Sequence, residues 1–146
     1  MEINTSRDVQ KTFAIIKPDA VRAGNADFIR DRIIEEGFVI VRQEQKQLTR
    51  DTASGFYAEH EGKPFFEGLV EYMTSGPAVL MILAKADAIS SWRALMGPTD
   101  VELAKQQFPA SIRALFGTNK TFNAAHGSDS ANSARREIKY FFPEGI

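Results

Sequence analysis

Cysteine is absent from this 146-residue sequence, and histidine occurs at only two positions, His60 and His126. Without cysteine the chain cannot form disulfides, use a thiol nucleophile, or bind zinc or iron–sulfur clusters through thiolates. Two histidines are too few for a three-histidine metal centre. We therefore expect no metal site built by the protein alone.

Long apolar runs and an excess of one charge are missing as well. The longest apolar run, residues 78–84, is far shorter than the ~20 residues that span a bilayer. Lys and Arg total 18 against 19 Asp and Glu, and this net charge of −1 argues against a dedicated nucleic-acid-binding protein. Because the N-terminus lacks a basic segment followed by an apolar one, the sequence predicts no secretory signal and a cytoplasmic location.

Length and composition fit one globular domain over residues 1–146. Hydrophobic residues make up 43% of the chain and charged residues 25%, which is ordinary usage for a folded soluble domain. Residues 1–10 are polar and are expected to be loosely ordered.

Apolar periodicity predicts alternating strands and helices. Predicted strands lie at 12–16, 38–48 and 78–84, and predicted helices at 25–36, 87–96 and 130–141. Thr49 is expected to cap one further helix and Pro64 to open another. The stretch 98–122 is expected to be irregular apart from a helical turn at 111–116. This order suits an α+β sandwich of the ferredoxin-like βαββαβ type, an antiparallel four-stranded sheet covered by helices.

Common phosphate and metal motifs are not found. The Gly-Lys pair at 62–63 is not a P-loop, because Pro64 occupies the place of the magnesium-binding Ser or Thr. The His-Glu pair at 60–61 lacks the second histidine of a zinc motif. The first strand runs into a loop at 17–19 instead of a glycine-rich dinucleotide-binding turn.

The segment 123–130, Asn-Ala-Ala-His-Gly-Ser-Asp-Ser, is unusual. Ser128, Asp129 and Ser130 are good helix N-caps, and a helix start offers free N–H groups and a positive dipole end to an anion. In one interpretation Ser128 or Asp129 only caps, and His126 is a loop histidine with satisfied hydrogen bonds. In the other, His126 is a nucleophile, since a Ser–His–Asp relay fits the spacing poorly.

Four segments together form a recognisable pattern: Phe-Ala-Ile-Ile-Lys-Pro-Asp-Ala-Val at 13–21, Pro-Phe-Phe-Glu-Gly-Leu-Val at 64–70, Met-Thr-Ser-Gly-Pro at 73–77 and Asn-x-x-His-Gly-Ser-Asp-Ser at 123–130. In this order they resemble the nucleoside diphosphate kinase family over nearly the whole chain. The resemblance implies a ferredoxin-like fold. It also implies a ping-pong enzyme that moves the γ-phosphoryl group of a nucleoside triphosphate, mainly ATP, to a nucleoside diphosphate through a phosphohistidine.

The resemblance assigns the phosphohistidine to His126. It implies that Arg93, Arg113 and Thr99 hold the β- and γ-phosphates. It also implies that Lys17 contacts the transferring phosphate and the ribose. A guanidinium suits phosphate because its planar fork contacts two oxygens and stays charged. For any lone arginine, the competing interpretation is a solvated surface side chain.

Further matches concern the sugar, the base and the imidazole ring. Asn123 is expected to contact the sugar and Tyr57 to lie beside the histidine and the phosphate. Phe65 and Leu69 are expected to sandwich the base, by stacking that tolerates any base. A core aromatic is the competing interpretation of Phe65.

Glu137 and Ser128 are expected to orient the His126 ring, while an exposed helix glutamate is the alternative for Glu137. Mg²⁺ should arrive with the nucleotide and bridge phosphate oxygens. Asp129 is the candidate for a water-mediated contact to that ion.

The expected partners are ATP, other nucleoside di- and triphosphates, and further copies of the chain. A hexamer is favoured over a tetramer or dimer. The loop at 98–112 is longer than in the best-known members, where it supports subunit contacts, and this departure resembles a divergent branch. The competing function is a weakly active or inactive nucleotide-binding or scaffolding module on the same fold.

Overall fold

A computed structural model gives the structure of the chain and describes residues 9–120 and 122–144. Residues 1–8 of the polar segment 1–10 therefore lie outside the described residues. Val9 and Gln10, the remaining two, belong to the first strand.

Four strands, eight α-helices and a short 3₁₀ helix, Ala58–His60, make up the described fold. The strands are β1 Val9–Ile16, β2 Val39–Lys46, β3 Ala78–Ala86 and β4 Ala125–Gly127. The helices are α1 Pro18–Arg22, α2 Ala26–Glu35, α3 Arg50–Phe56, α4 Phe66–Met73, α5 Ala88–Met96, α6 Val101–Gln107, α7 Ile112–Phe116 and α8 Ala131–Phe141. None of these helices is long and apolar enough to cross a membrane.

The sheet has the strand order β2-β3-β1-β4, and every neighbouring pair is antiparallel. The long central strands β1 and β3 pair along their whole common length, from Val9 opposite Ala86 to Ile16 opposite Val79. β4 pairs only with Ala14–Ile16 of β1. The predicted ferredoxin-like α+β fold is confirmed.

Alternate residues of β1 point to opposite faces of the sheet and enter two separate cores. Ala14 and Ile16 pack under α2 and α5, whereas Phe13 and Ile15 pack under α3, α4 and α8. All four side chains are fully buried. The apolar end of β1 and the apolar residues 78–84 of β3 are thus covered on both faces.

Capping side chains begin several helices where the sequence predicts. The Thr49 hydroxyl accepts a hydrogen bond from the backbone N–H of Thr52 at 3.1 Å. The predicted helix opened by Pro64 begins slightly later, at Phe66. At the start of α8 the capping residue is Ser130, whose Oγ accepts from the Ser133 N–H, and not Ser128 or Asp129.

Two predicted irregular stretches contain helix. The stretch 98–122 includes α6, because the Asp100 carboxylate accepts from the N–H groups of Glu102 and Leu103 and so caps a helix start. The predicted loop at 17–19 opens α1, in which Pro18 occupies the first turn, where its missing N–H costs nothing. The predicted helical turn at 111–116 is confirmed as α7.

The contact between β4 and α5 depends on Gly127. A Cβ at this position would lie 2.5 Å from Trp92 Cδ1 and 2.7 Å from Met96 Cε, both on α5. Trp92 is fully buried and donates its indole N–H to the His126 carbonyl oxygen at 3.0 Å. A side chain at residue 127 would therefore displace the tryptophan that holds β4.

We expect Gly127→Ala to lower the free energy of unfolding by about 1–3 kcal/mol through overpacking. Urea denaturation measures the change. Gly68→Ala is the matched control, because a Cβ at Gly68 meets no atom within 4 Å and lies in α4. Equal stability of the two variants would contradict the packing role of Gly127.

Candidate functional site

His126 lies in the middle of the edge strand β4, opposite Ile15 of β1. The backbone just before it is unusual, since Ala124 has a positive φ of 75°. The Lys17 backbone N–H donates to the Ala124 carbonyl at 2.8 Å and holds this conformation. The small side chain of Ala124 keeps the cost of the left-handed conformation low compared with a branched residue.

A buried carboxylate fixes the imidazole ring. Glu137 Oε1 lies 2.9 Å from His126 Nε2 and also accepts a hydrogen bond from Ser128 Oγ at 2.8 Å. Ser128 therefore contacts Glu137 rather than the ring. Glu137 is only 5% exposed, so the alternative of an exposed helix glutamate is wrong.

Burial and the neighbouring charges act on the pKa of His126 in opposite directions. Burial lowers the pKa of His126 below 6.5, and the cations Lys17 and Arg113 lower it further. The hydrogen bond and the negative charge of Glu137 oppose this shift. The net lowering favours the neutral imidazole, the nucleophilic form, near neutral pH.

His126 opens into a cleft of about 1,090 Å³ that gathers most of the predicted site. The predicted residues that line it are Lys17, Tyr57, Phe65, Leu69, Thr99, Arg113, Asn123 and His126. They come from six different parts of the chain, and only the fold brings them together.

Lys17 is buried at the end of β1, and its ammonium lies 2.9 Å from Asn123 Oδ1. Burial, followed by the nearby charge of Arg113, lowers the pKa of Lys17 to about 7, while Asp19 opposes the shift. An anion bound in the cleft would stabilise the charged ammonium and raise this pKa.

Arg113 is also buried, so the alternative of a solvated arginine is wrong at this position. It is 8% exposed and donates to the carbonyl oxygens of Gly97 at 3.0 Å and Ala125 at 2.8 Å. Burial and the charge of Arg93 lower its pKa to about 10. Arg113 thus combines a structural role with a positive charge on the cleft wall.

Two aromatic side chains, Tyr57 and Phe65, also line the cleft. The Tyr57 ring lies edge-on to His126 with centroids 6.4 Å apart, and its buried hydroxyl has no hydrogen-bond partner among the described residues. Burial and Glu137 raise the pKa of Tyr57, so it stays a neutral donor. Phe65 is 52% exposed in the cleft, which rules out the alternative of a core aromatic.

Arg93 and Asp129 do not line the cleft. Arg93 is exposed on α5, although its charge reaches Arg113. The Asp129 carboxylate accepts from the Ser133 hydroxyl at 2.6 Å, and this bond lowers its pKa. Asp129 is therefore ionised at the start of α8.

The cleft also contains residues that were not predicted as site residues. These are Pro64, Gly68, Glu71, Asn119, Lys120 and Phe122. The last three lie just before Asn123, in the loop between α7 and β4. The Phe122 ring packs edge-on against Tyr72, whose hydroxyl bonds to Asp19. Proximity to Asn123 was the one available sequence signal for this loop.

Comparisons with known proteins agree with this geometry. The family model described as nucleoside diphosphate kinase matches residues 10–146. The chain is 52% identical over 132 residues to a probable nucleoside diphosphate kinase 5 of Arabidopsis thaliana, covering 90% of this chain and 92% of that protein. It is 47% identical to the human nucleoside diphosphate kinase homolog 5, covering 94% of this chain and 64% of that protein.

A solved structure agrees as closely as these sequences. The Aquifex aeolicus nucleoside diphosphate kinase has a TM-score of 0.90 and 47% identity to the chain, and the match covers 92% of this chain and 95% of that one.

We expect Glu137→Gln to lower the pKa of His126 further, because the amide removes the negative charge that stabilises the imidazolium. An NMR titration of the His126 ring signals measures the shift. Glu67→Gln is the control, since Glu67 is an exposed glutamate paired with Arg50 at 2.6 Å. A His126 that titrates at higher pH in Glu137→Gln would contradict the assigned contact.

Proposed function

The chain belongs to the nucleoside diphosphate kinase family, an enzyme class of nucleotide phosphotransfer, and from this we propose that it moves the γ-phosphoryl group of a nucleoside triphosphate, mainly ATP, to a nucleoside diphosphate through phospho-His126. One observation carries the proposal. The His126 ring is held by buried Glu137 in the same cleft as the cations Lys17 and Arg113.

The ring contact selects the reacting nitrogen. Because Glu137 occupies Nε2, we propose that Nδ1 attacks the γ-phosphorus. The N–P bond forms as the bond between the γ-phosphorus and the β–γ bridging oxygen breaks, and the electron pair leaves with the diphosphate. In the second half-reaction, a terminal oxygen of another diphosphate attacks phospho-His126 and restores the free ring. Glu137 and Ser128 act in both halves as positioning residues.

Phosphoryl transfer depends mainly on positioning and on neutralising the charge of the phosphoryl oxygens. In this proposal Lys17, Arg113 and Thr99 bind the phosphates from the cleft wall, and Arg93 joins them from α5. The Tyr57 hydroxyl, which is buried without a partner among the described residues, donates towards the phosphate.

The base and sugar bind at the outer part of the cleft. We propose that the exposed Phe65 ring and Leu69 enclose the base and that Asn123 contacts the sugar. Stacking uses the π-face that all bases share, so purines and pyrimidines should both be accepted.

The cleft suits a magnesium–nucleotide complex better than a free ion. Lys17 and Arg113 are cations, and Glu71 is the one carboxylate among the described residues that line it. In the proposal Mg²⁺ is held by the phosphates, where it offsets their charge. Asp129, ionised and near the site, is the candidate for a contact through water.

The labelling of His126 tests the function. We expect the purified protein given γ-labelled ATP to retain acid-labile label and to pass it to added GDP, and His126→Ala to lose both activities to background. His60→Ala, which removes the other histidine, is the matched control and should keep the label. Equal labelling of the His126→Ala variant would refute the assignment.

A scaffolding role would give a different result in the same assay. Tight binding of ATP and ADP without exchange of phosphate between ATP and other diphosphates would favour the competing nucleotide-binding module.

We also propose that the chain forms homo-oligomers, with a hexamer favoured, and acts in the cytoplasm. β2 is an edge strand of the sheet, and strand edges pair readily with other chains. Phe28, Ile34 and Val39, on α2 and β2, are each more than half exposed. Exposed apolar side chains beside an open strand edge are typical of a protein interface.

Light scattering measures the molar mass of the protein in solution and so tests the number of subunits. We expect a mass near six times the chain mass of 16.2 kDa, and a smaller species for Val39→Lys, because a charge at this edge opposes pairing. Leu115→Lys is the control at an exposed apolar residue of α7, outside the sheet. A monomer at micromolar concentration would contradict the proposal.

A further inference from the structure

β1 extends well beyond its neighbour β4. β4 pairs with Ala14–Ile16. The last contact along this edge is a hydrogen bond from the Ser128 backbone N–H to the Phe13 carbonyl oxygen at 3.2 Å. The first four residues of β1, 9–12, pair with β3 on one side and have no described strand on the other. Within the described part of the chain, this end of β1 is an open sheet edge.

The register fixes which backbone groups face the open edge. In an antiparallel strand, the N–H and C=O groups of alternate residues point to the same side. Phe13 and Ile15 direct theirs towards β4. Val9 and Lys11 therefore direct theirs towards the open edge, where a further strand could bond to them.

A groove of about 560 Å³ lies along this edge between α5 and α8. Ile89 lines the α5 side, and Ala134, Ile138 and Phe142 line the α8 side. Ala134 and Phe142 are buried, so the floor is apolar. We call this space the β1 groove; it shares no lining residue with the nucleotide cleft.

The charge of the β1 groove has one sign. Lys11, Arg135 and Lys139 line it, and no described acidic residue does. Lys11 lies on the same sheet face as Phe13, whose ring stacks on Phe141 of α8 at 5.3 Å. All three cations thus lie on the α8 side of the groove.

The α5 side of the β1 groove is lined by Ile89 and Gln10, and no charged residue in the described lining lies there. Gln10, on the opposite face of β1 from Lys11, accepts from the Ile89 N–H at 2.9 Å. A strand laid in the groove would alternate its side chains between these two sides. Acidic side chains would meet the cations on the α8 side, and apolar ones would meet Ile89.

We propose that the β1 groove binds an extended segment of a partner protein in which acidic and apolar residues alternate. The segment pairs with Val9 and Lys11 as an added strand, and its carboxylates meet Lys11, Arg135 and Lys139. Main-chain bonds give such a complex its affinity, and the alternating side chains give it specificity. This inference does not rest on the proposed phosphotransfer.

Labelled pentapeptides test the groove by fluorescence anisotropy. The probe is acetyl-Glu-Val-Glu-Ile-Glu-amide. We expect it to bind at least about tenfold more tightly than the lysine counterpart Lys-Val-Lys-Ile-Lys. A third peptide keeps the charges but is N-methylated at two successive residues. Because neighbouring amides of a strand point to opposite sides, one of the two methyl groups removes a hydrogen bond to β1 whichever side of the peptide faces it. Equal binding of this peptide would overturn strand addition.

Variants of the protein locate the binding. The double variant Arg135→Glu/Lys139→Glu should weaken binding of the probe by about tenfold or more. A separate variant, Ala131→Trp, fills the groove from an exposed position and should weaken binding by a similar factor. Lys105→Glu, which reverses an exposed charge on α6, is the control for charge reversal outside the groove. Thermal melting confirms that each variant is folded. Equal loss in the Lys105→Glu variant would overturn the site.

Hydrogen exchange at the Lys11 amide separates the possible occupants. We expect fast exchange in the free protein and slower exchange with the probe. Exchange in the free protein that becomes slower as the protein concentration rises would identify a second copy as the occupant. Slow exchange at every concentration would identify a segment of the same chain. Either result would overturn the proposal of a partner protein.

Discussion

The buried carboxylate of Glu137 is the interaction on which the site depends. A carboxylate that is 5% exposed is costly unless charged or polar groups compensate it. His126 Nε2 and Ser128 Oγ both contact its Oε1, and Arg136 lies 3.5 Å from its Oε2. Because these partners come from β4, the turn after it and α8, the same contacts join the last strand to the last helix. The contacts that orient the His126 ring therefore also hold β4 against α8.

The cations of the cleft are held apart from water and close to each other. Lys17 and Arg113 both have lowered pKa values, about 7 and about 10, with burial as the first cause and a neighbouring cation as the second. The protein fixes them through neutral oxygens: Asn123 for Lys17, and two carbonyls for Arg113. A polyanion is the ligand that would relieve this repulsion, so the electrostatics and the family membership point to the same class of substrate.

The sequence predicts best those features that have a local cause. The buried strands follow from short β-branched and aromatic runs, and the helix at Thr49 follows from its cap. Features defined by distant contacts could not be predicted in this way. From the sequence, Phe65 is equally compatible with the core and with a cleft, and only the fold shows that it is exposed. The helix α6 was not predicted because its sequence lacks a strong apolar stripe. Motif matches predicted eight residues that the fold brings to one cleft. The contact of Ser128 with Glu137 depends on how β4 and α8 pack in the folded chain, and the chemical roles stay predictions.

The short length of β4 links the site to the open edge of β1. Ser128 lies in the turn after β4, where its backbone N–H donates to the Phe13 carbonyl at 3.2 Å and its hydroxyl contacts Glu137 on α8. The turn ends β4 at Gly127, whose missing side chain lets Trp92 pack against it. β1 continues past this point with β3 as its partner, so the backbone groups of Val9 and Lys11 have no described strand on the β4 side. The turn that carries Ser128 therefore both supports Glu137 and marks the point beyond which the described β1 edge has no partner strand.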